Sequence, residues 1–196
     1  MSRKLLFTLA VMSGLVAQTG LSHAIEASDE NAAAFFGNYS LSGNGRPQAS
    51  SVRRETVSYD GKYAPGTIFV SSKERRLYFV LPNNQAIRYG VGVGRPGFDW
   101  AGTHVITNKR EWPDWTPPPQ MLKRRPDLPR HMKGGPENPL GARAMYLGSS
   151  LYRIHGSNEP ETIGQAVSSG CIRMTNEDVT DLYTRVKVGT QVIVSR

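Results

Sequence analysis

A chain of 196 residues with 38% hydrophobic and 20% charged residues suits one globular domain with some non-globular sequence beside it. Its formal net charge of +8 favours anionic partners such as nucleic acid, lipid head groups or carboxylate-rich polymers. The single cysteine, Cys171, excludes an intramolecular disulfide.

The N-terminus has the pattern of a secretory signal: Arg3 and Lys4, an apolar run over residues 5–17, and the small-x-small site Ser22-His23-Ala24. That run is shorter than the roughly 20 residues a bilayer span needs, which predicts cleavage after residue 24 and a periplasmic mature chain starting at Ile25. Removing residues 1–24, with two basic and no acidic residues, lowers the formal charge from +8 to +6. An exported basic protein meets the wall or a membrane surface rather than nucleic acid. Residues 25–56 are rich in Ala, Ser, Gly and Asn without an apolar period, and are expected to form a flexible spacer.

A domain is expected over residues 57–196. Residues 67–70, 76–81, 85–93 and 103–107 are β-branched or aromatic stretches separated by turn residues such as Pro82-Asn83-Asn84 and Arg95-Pro96-Gly97, which predicts short strands and early hairpins. Residues 109–141 hold eight prolines together with Trp112 and Trp115. Such a composition excludes a long helix or an interior strand and predicts a long lid or binding loop, whose tryptophans either line a cleft or pack in the core. Strand character returns at 144–147, 151–154 and 190–194. Thr175-Asn176-Glu177-Asp178 has the form of a capping box, and Val179, Leu182, Tyr183 and Val186 follow with helical spacing; Gly189 is placed to end that helix. Mostly strand with one good helix, and no βαβ alternation, predicts a mainly β domain.

The chemistry gathers in two segments. Arg153-Ile154-His155-Gly156 ends a predicted strand, and Ser168-Ser169-Gly170-Cys171-Ile172-Arg173 follows as a small-residue turn. A thiol attacks as thiolate, and a neighbouring imidazole is the natural base; a thiol ion-paired in this way alkylates well below pH 8. Three small residues allow the N–H groups of Ser169, Gly170 and Cys171 to converge as an oxyanion hole, with Gly170 the position least tolerant of a side chain. One cysteine without clustered histidines falls short of the three or four ligands a metal needs, so neither metal nor other cofactor is expected. His104 and His131 are expected as turn or surface histidines.

The order His-Gly, a dozen residues, then Ser-Ser-Gly-Cys-Ile-Arg resembles the active-site signature of the YkuD-type L,D-transpeptidases, in the wording of the ErfK/YbiS/YcfS/YnhG branch. The resemblance extends upstream to Asn138-Pro139-Leu140-Gly141 and downstream to Val188-Gly189-Thr190, covering about residues 63–196. It implies a β-rich catalytic domain in which Cys171 attacks the bond between diaminopimelate and D-alanine in a tetrapeptide stem, for transfer to an amine. That amine belongs to a second stem peptide, giving a 3→3 cross-link, or to an outer-membrane protein; water would give carboxypeptidase action.

Residue by residue, the resemblance makes His155 the base, gives the Gly156 carbonyl the orienting role, lets Ser168 support the turn, and gives Arg173 a stem carboxylate to hold or a bracing role. It also implies acylation of Cys171 by carbapenems. Serine at position 169 departs from relatives with histidine there, and removes a second candidate base. Papain-like peptidases place cysteine before histidine, and sortases separate the two much further. A wall-binding domain without turnover is the non-enzymatic alternative.

Overall fold

The computed structural model describes residues 52–196; the expected signal peptide and the spacer up to residue 51 lie outside the described residues. Its frame is a curled nine-stranded sheet of the order β1-β4-β3-β2-β11-β6-β7-β8-β10. The early strands are β1 (Glu55–Ser58), β2 (Ile68–Ser71), β3 (Arg76–Leu81) and β4 (Gln85–Gly90). The β3–β4 hairpin closes over Pro82, Asn83 and Asn84, with both asparagines left-handed at φ 59° and 53°, a conformation that asparagine tolerates. The spacer expected to reach residue 56 stops earlier, because β1 begins at Glu55 and pairs antiparallel with β4.

The expected strand over residues 85–93 is two elements. β4 stops at Gly90, and β5 (Val93–Gly94) leaves the sheet to pair in parallel with β9 (Ala166–Ser168), the strand that leads into the cysteine turn. β6 runs over Gly102–Glu111, so the first residues of the proline-rich segment belong to a strand; a register shift between Ile106 and Asn108 bends it. Prolines begin only at Pro113, where ladder donors are no longer needed.

Within that segment Pro118-Pro119 starts a six-residue helix, α1 (Pro119–Arg124), consistent with proline's preformed φ at a first helical turn. Buried Asn138 fixes the rest of the loop: its Nδ2 donates to the carbonyls of Pro113, Met132 and Lys133 at 3.2, 3.3 and 3.0 Å, and its Oδ1 accepts from Leu140 N–H at 2.9 Å.

β7 (Arg143–Leu147) and β8 (Arg153–His155) form an antiparallel pair, and β10 (Ile172–Arg173) adds to β8 in parallel. The helix α2 (Asn176–Arg185) is capped by Thr175, whose hydroxyl accepts from Asp178 N–H at 3.1 Å. It ends at Val186, which turns extended to reach the core, so Gly189 serves the next turn rather than the helix terminus. β11 (Gln191–Ser195) then enters mid-sheet, parallel to β2 and antiparallel to β6. The core joins Ile68, Leu77, Tyr89, Ile106, Met145 and Ile154 of the sheet to Val179 and Leu182 of α2.

Candidate active site

The parallel pairing of β8 with β10 sets Ile154 opposite Ile172 and His155 opposite Arg173. Both isoleucines enter the core. Because strand side chains alternate, Arg153, His155, Cys171 and Arg173 share the other face, where all four line one cleft of about 860 Å³. Cys171 lies two residues before Arg173 and is thus the diagonal neighbour of His155, a relation that spans about 7–8 Å between backbones and lies within side-chain reach.

His155 is buried, and its Nδ1 lies 2.6 Å from the Gly156 carbonyl oxygen. A carbonyl only accepts, so Nδ1 carries the hydrogen and, in the neutral ring, Nε2 keeps its lone pair. Burial first, and then the Arg173 guanidinium, push the imidazole pKa down to about 3, against a small opposing pull from the Gly156 carbonyl. The Cys171 thiol is pushed up by burial, with Arg153 and Arg173 pulling the other way. The sulfur is partly accessible from the cleft, yet protein encloses it on its other sides. Both shifts favour a neutral thiol and a neutral imidazole at rest over the thiolate–imidazolium pair expected from sequence. Proton transfer is deferred until a carbonyl is attacked.

The turn before Cys171 is held by Ser168. Its Oγ donates to the Cys171 carbonyl at 2.7 Å and accepts from Gly170 N–H at 3.0 Å. Gly170 N–H is thereby engaged, and the expected three-donor oxyanion hole loses its middle member. Among the described residues, the N–H groups of Ser169 and Cys171 have no partner, so they are the donors left for a developing oxyanion. Gly170 has φ +108°, and a Cβ there would stand 2.5 Å from Tyr152 Cε1. Trp100 stacks on that Tyr152 ring at 4.4 Å between centroids, and its Nε1–H donates to the Gly170 carbonyl at 2.7 Å. Sequence reading passed over Trp100 and Tyr152 because their role rests on contacts across about 70 residues, with no local spacing to mark them.

Arg173, expected to hold a carboxylate or to brace the site, is engaged in bracing. It donates to Thr162 Oγ1 at 3.1 Å and pairs with Glu159 at 2.9 Å. Trp115 is buried and lines the cleft, whereas Trp112 is 44% exposed and lies outside the lining. Trp112 is displaced because its N–H bonds the Ala142 carbonyl and its φ is +41°, which turns the ring away. His104 packs edge-on against Trp100, and His131 lies on the exposed face of the loop beside Asp114 and Thr116; neither lines the cleft. Met121 and Arg124 of α1 also line the cleft.

A neutral base locked in one tautomer, a lone thiol on the same cleft face and two free N–H donors beside it are the parts of acyl transfer through a thioester. The chain is 40% identical over 132 residues to the probable L,D-transpeptidase ErfK/SrfK of Escherichia coli, covering 64% of this chain and 42% of that protein. The chain thus matches about two fifths of that relative's length. A solved structure from Brucella melitensis, described as a probable carnitine operon oxidoreductase caia, is 46% identical, covering 72% of this chain and 92% of that one, with a TM-score of 0.51. The fold is also that of an L,D-transpeptidase from Mycobacterium smegmatis, with a TM-score of 0.54 at 17% identity over 66% of this chain and 58% of that one. Residues 65–194 match the L,D-transpeptidase catalytic domain family, YkuD, and the chain belongs to that family of enzymes.

Proposed function

We propose that this enzyme cleaves the diaminopimelate–D-alanine bond of a peptidoglycan tetrapeptide stem and passes the acyl group to an amine. The observation that carries the reading is the His155 tautomer: Nδ1–H is committed to Gly156, which leaves Nε2 as a base on the face that holds Cys171. As Sγ bonds to the scissile carbonyl carbon, Nε2 takes the thiol proton, and the oxyanion is met by the N–H groups of Cys171 and Ser169. Collapse returns that proton to the departing D-alanine nitrogen and leaves a thioester. An incoming amine then attacks the thioester, gives a proton to Nε2, and the thiol recovers it on release.

The reading places the mature enzyme in the envelope, in keeping with the signal-like residues 1–24 and the basic charge. The oxidoreductase description of the Brucella protein belongs to that protein; the groups lining this cleft are those of acyl transfer. The test is to incubate the protein and a Cys171→Ala variant with disaccharide-tetrapeptide, following intact mass and products. Release of D-alanine with 3→3 dimers, absent in the variant, supports transpeptidation. Release without dimers makes the enzyme a carboxypeptidase or one that uses another acceptor, and no release, together with no mass gain on Cys171 from a carbapenem, leaves a wall-binding domain.

A further inference from the structure

Of the guanidinium groups around the cleft, Arg173 is neutralised by Glu159 and Arg125 by Asp127, while Arg95 and Arg124 lie over the Phe98 ring at 4.0 and 5.2 Å. Arg153, like Arg124, has no carboxylate partner among the described residues, but its side chain reaches the Cys171 sulfur and its Nε is buried without an oxygen to accept from it. Its guanidinium lies 5.2 Å from the Tyr146 ring centroid, and its place on β8 sets it beside Cys171, across from β10. An ordered, unneutralised fork next to the nucleophile is costly unless a ligand completes it.

Resting on the reaction proposed above, we propose that Arg153 binds the free terminal carboxylate of the departing residue and so restricts the enzyme to bonds one residue from a chain end. The geometry of the donor favours this carboxylate over others. It lies three bonds from the scissile carbonyl carbon, whereas the second carboxyl of diaminopimelate lies six bonds away. A group seated beside the sulfur therefore meets the terminal carboxylate first. Arg173, which sequence alone offered for such a role, already has its partners.

The experiment compares two synthetic tetrapeptide donors that differ only in ending with a carboxylate or a carboxamide. The readouts are kcat/KM for leaving-residue release and the intact mass of Cys171. The acid should react about 10–100-fold faster than the amide, the worth of a charge-assisted bidentate contact. Arg153→Gln should collapse that ratio to near one, chiefly through KM, and Arg153→Lys should restore part of it. A role limited to folding or to tuning the thiol would slow both donors alike. A full acid preference in Arg153→Gln, or equal slowing of both donors, overturns the assignment while the reaction stands. If the unmodified enzyme reacts with neither donor, the proposed reaction falls and the assignment with it.

Discussion

Replacing Gly170 with alanine tests how the cysteine turn is built. The backbone there has φ +108°, outside even the left-handed helical well, so any side chain costs about 1–3 kcal/mol in local strain. The new methyl would also stand 2.5 Å from Tyr152 Cε1, 3.1 Å from Cδ1 and 3.3 Å from the Phe98 carbonyl. Tyr152 cannot retreat freely, because its ring is stacked on Trp100 with only 3° between the planes. Overpacking of this kind costs about another 1–3 kcal/mol. The sum of roughly 2–6 kcal/mol should appear in urea unfolding as a lower midpoint with an unchanged slope. Relief by tilting the turn would stretch the Trp100–Gly170 hydrogen bond and move the N–H groups on either side of Gly170, so acylation of Cys171 should slow by about 100-fold or more. A variant within about 0.5 kcal/mol of the parent, acylating at the parent rate, would show that neither the stack nor the turn is rigid.

Three other perturbations follow from the same geometry. Alkylation of Cys171 by iodoacetamide should keep rising with pH beyond the range in which an ordinary thiol levels off, since burial pushes the thiol pKa up; a plateau reached below pH 8 would mean a resting ion pair. The depressed His155 pKa makes the unfolded chain bind a proton between pH 6.5 and 3 that the native state refuses, so stability falls with acid in that window, by roughly 2 kcal/mol at pH 5. His155→Gln should lack that share of the slope in paired unfolding curves, and an identical slope would place the imidazole in water. Asn138→Ala strands three carbonyls and one N–H of the long loop, and should cost about 2–4 kcal/mol together with protease cutting between residues 112 and 140; an uncut loop would mean that it is held elsewhere.

Where chemistry is local, the sequence was legible. Asn83-Asn84 marked a hairpin turn and Thr175 marked a helix start, because each depends on neighbours within a few residues, and His155 and Cys171, read as a pair from sequence, line the same cleft. The excursion of β5 to β9 was hidden, since a two-residue strand leaves no period to read. The fate of Gly170 N–H was hidden too: small residues permit donors to converge, but the Ser168 hydroxyl decides which stay free. Arg173 and Arg153 look alike in a list of residues, and only the fold reveals that one has Glu159 and the other no carboxylate. Trp112 and Trp115 are three residues apart in one loop, yet opposite backbone geometries send one out and one in.

The raised pKa of Cys171 also bears on how long the enzyme lasts between substrates. Peroxides attack thiolates, and the ladder from sulfenic to sulfonic acid begins only with the ionised sulfur. With burial favouring the protonated thiol and no second cysteine in the chain to resolve a sulfenic acid, durability rests on withholding the anion. An enzyme that ionises its sulfur only when a carbonyl arrives keeps its one irreplaceable atom out of reach of oxidants while it waits.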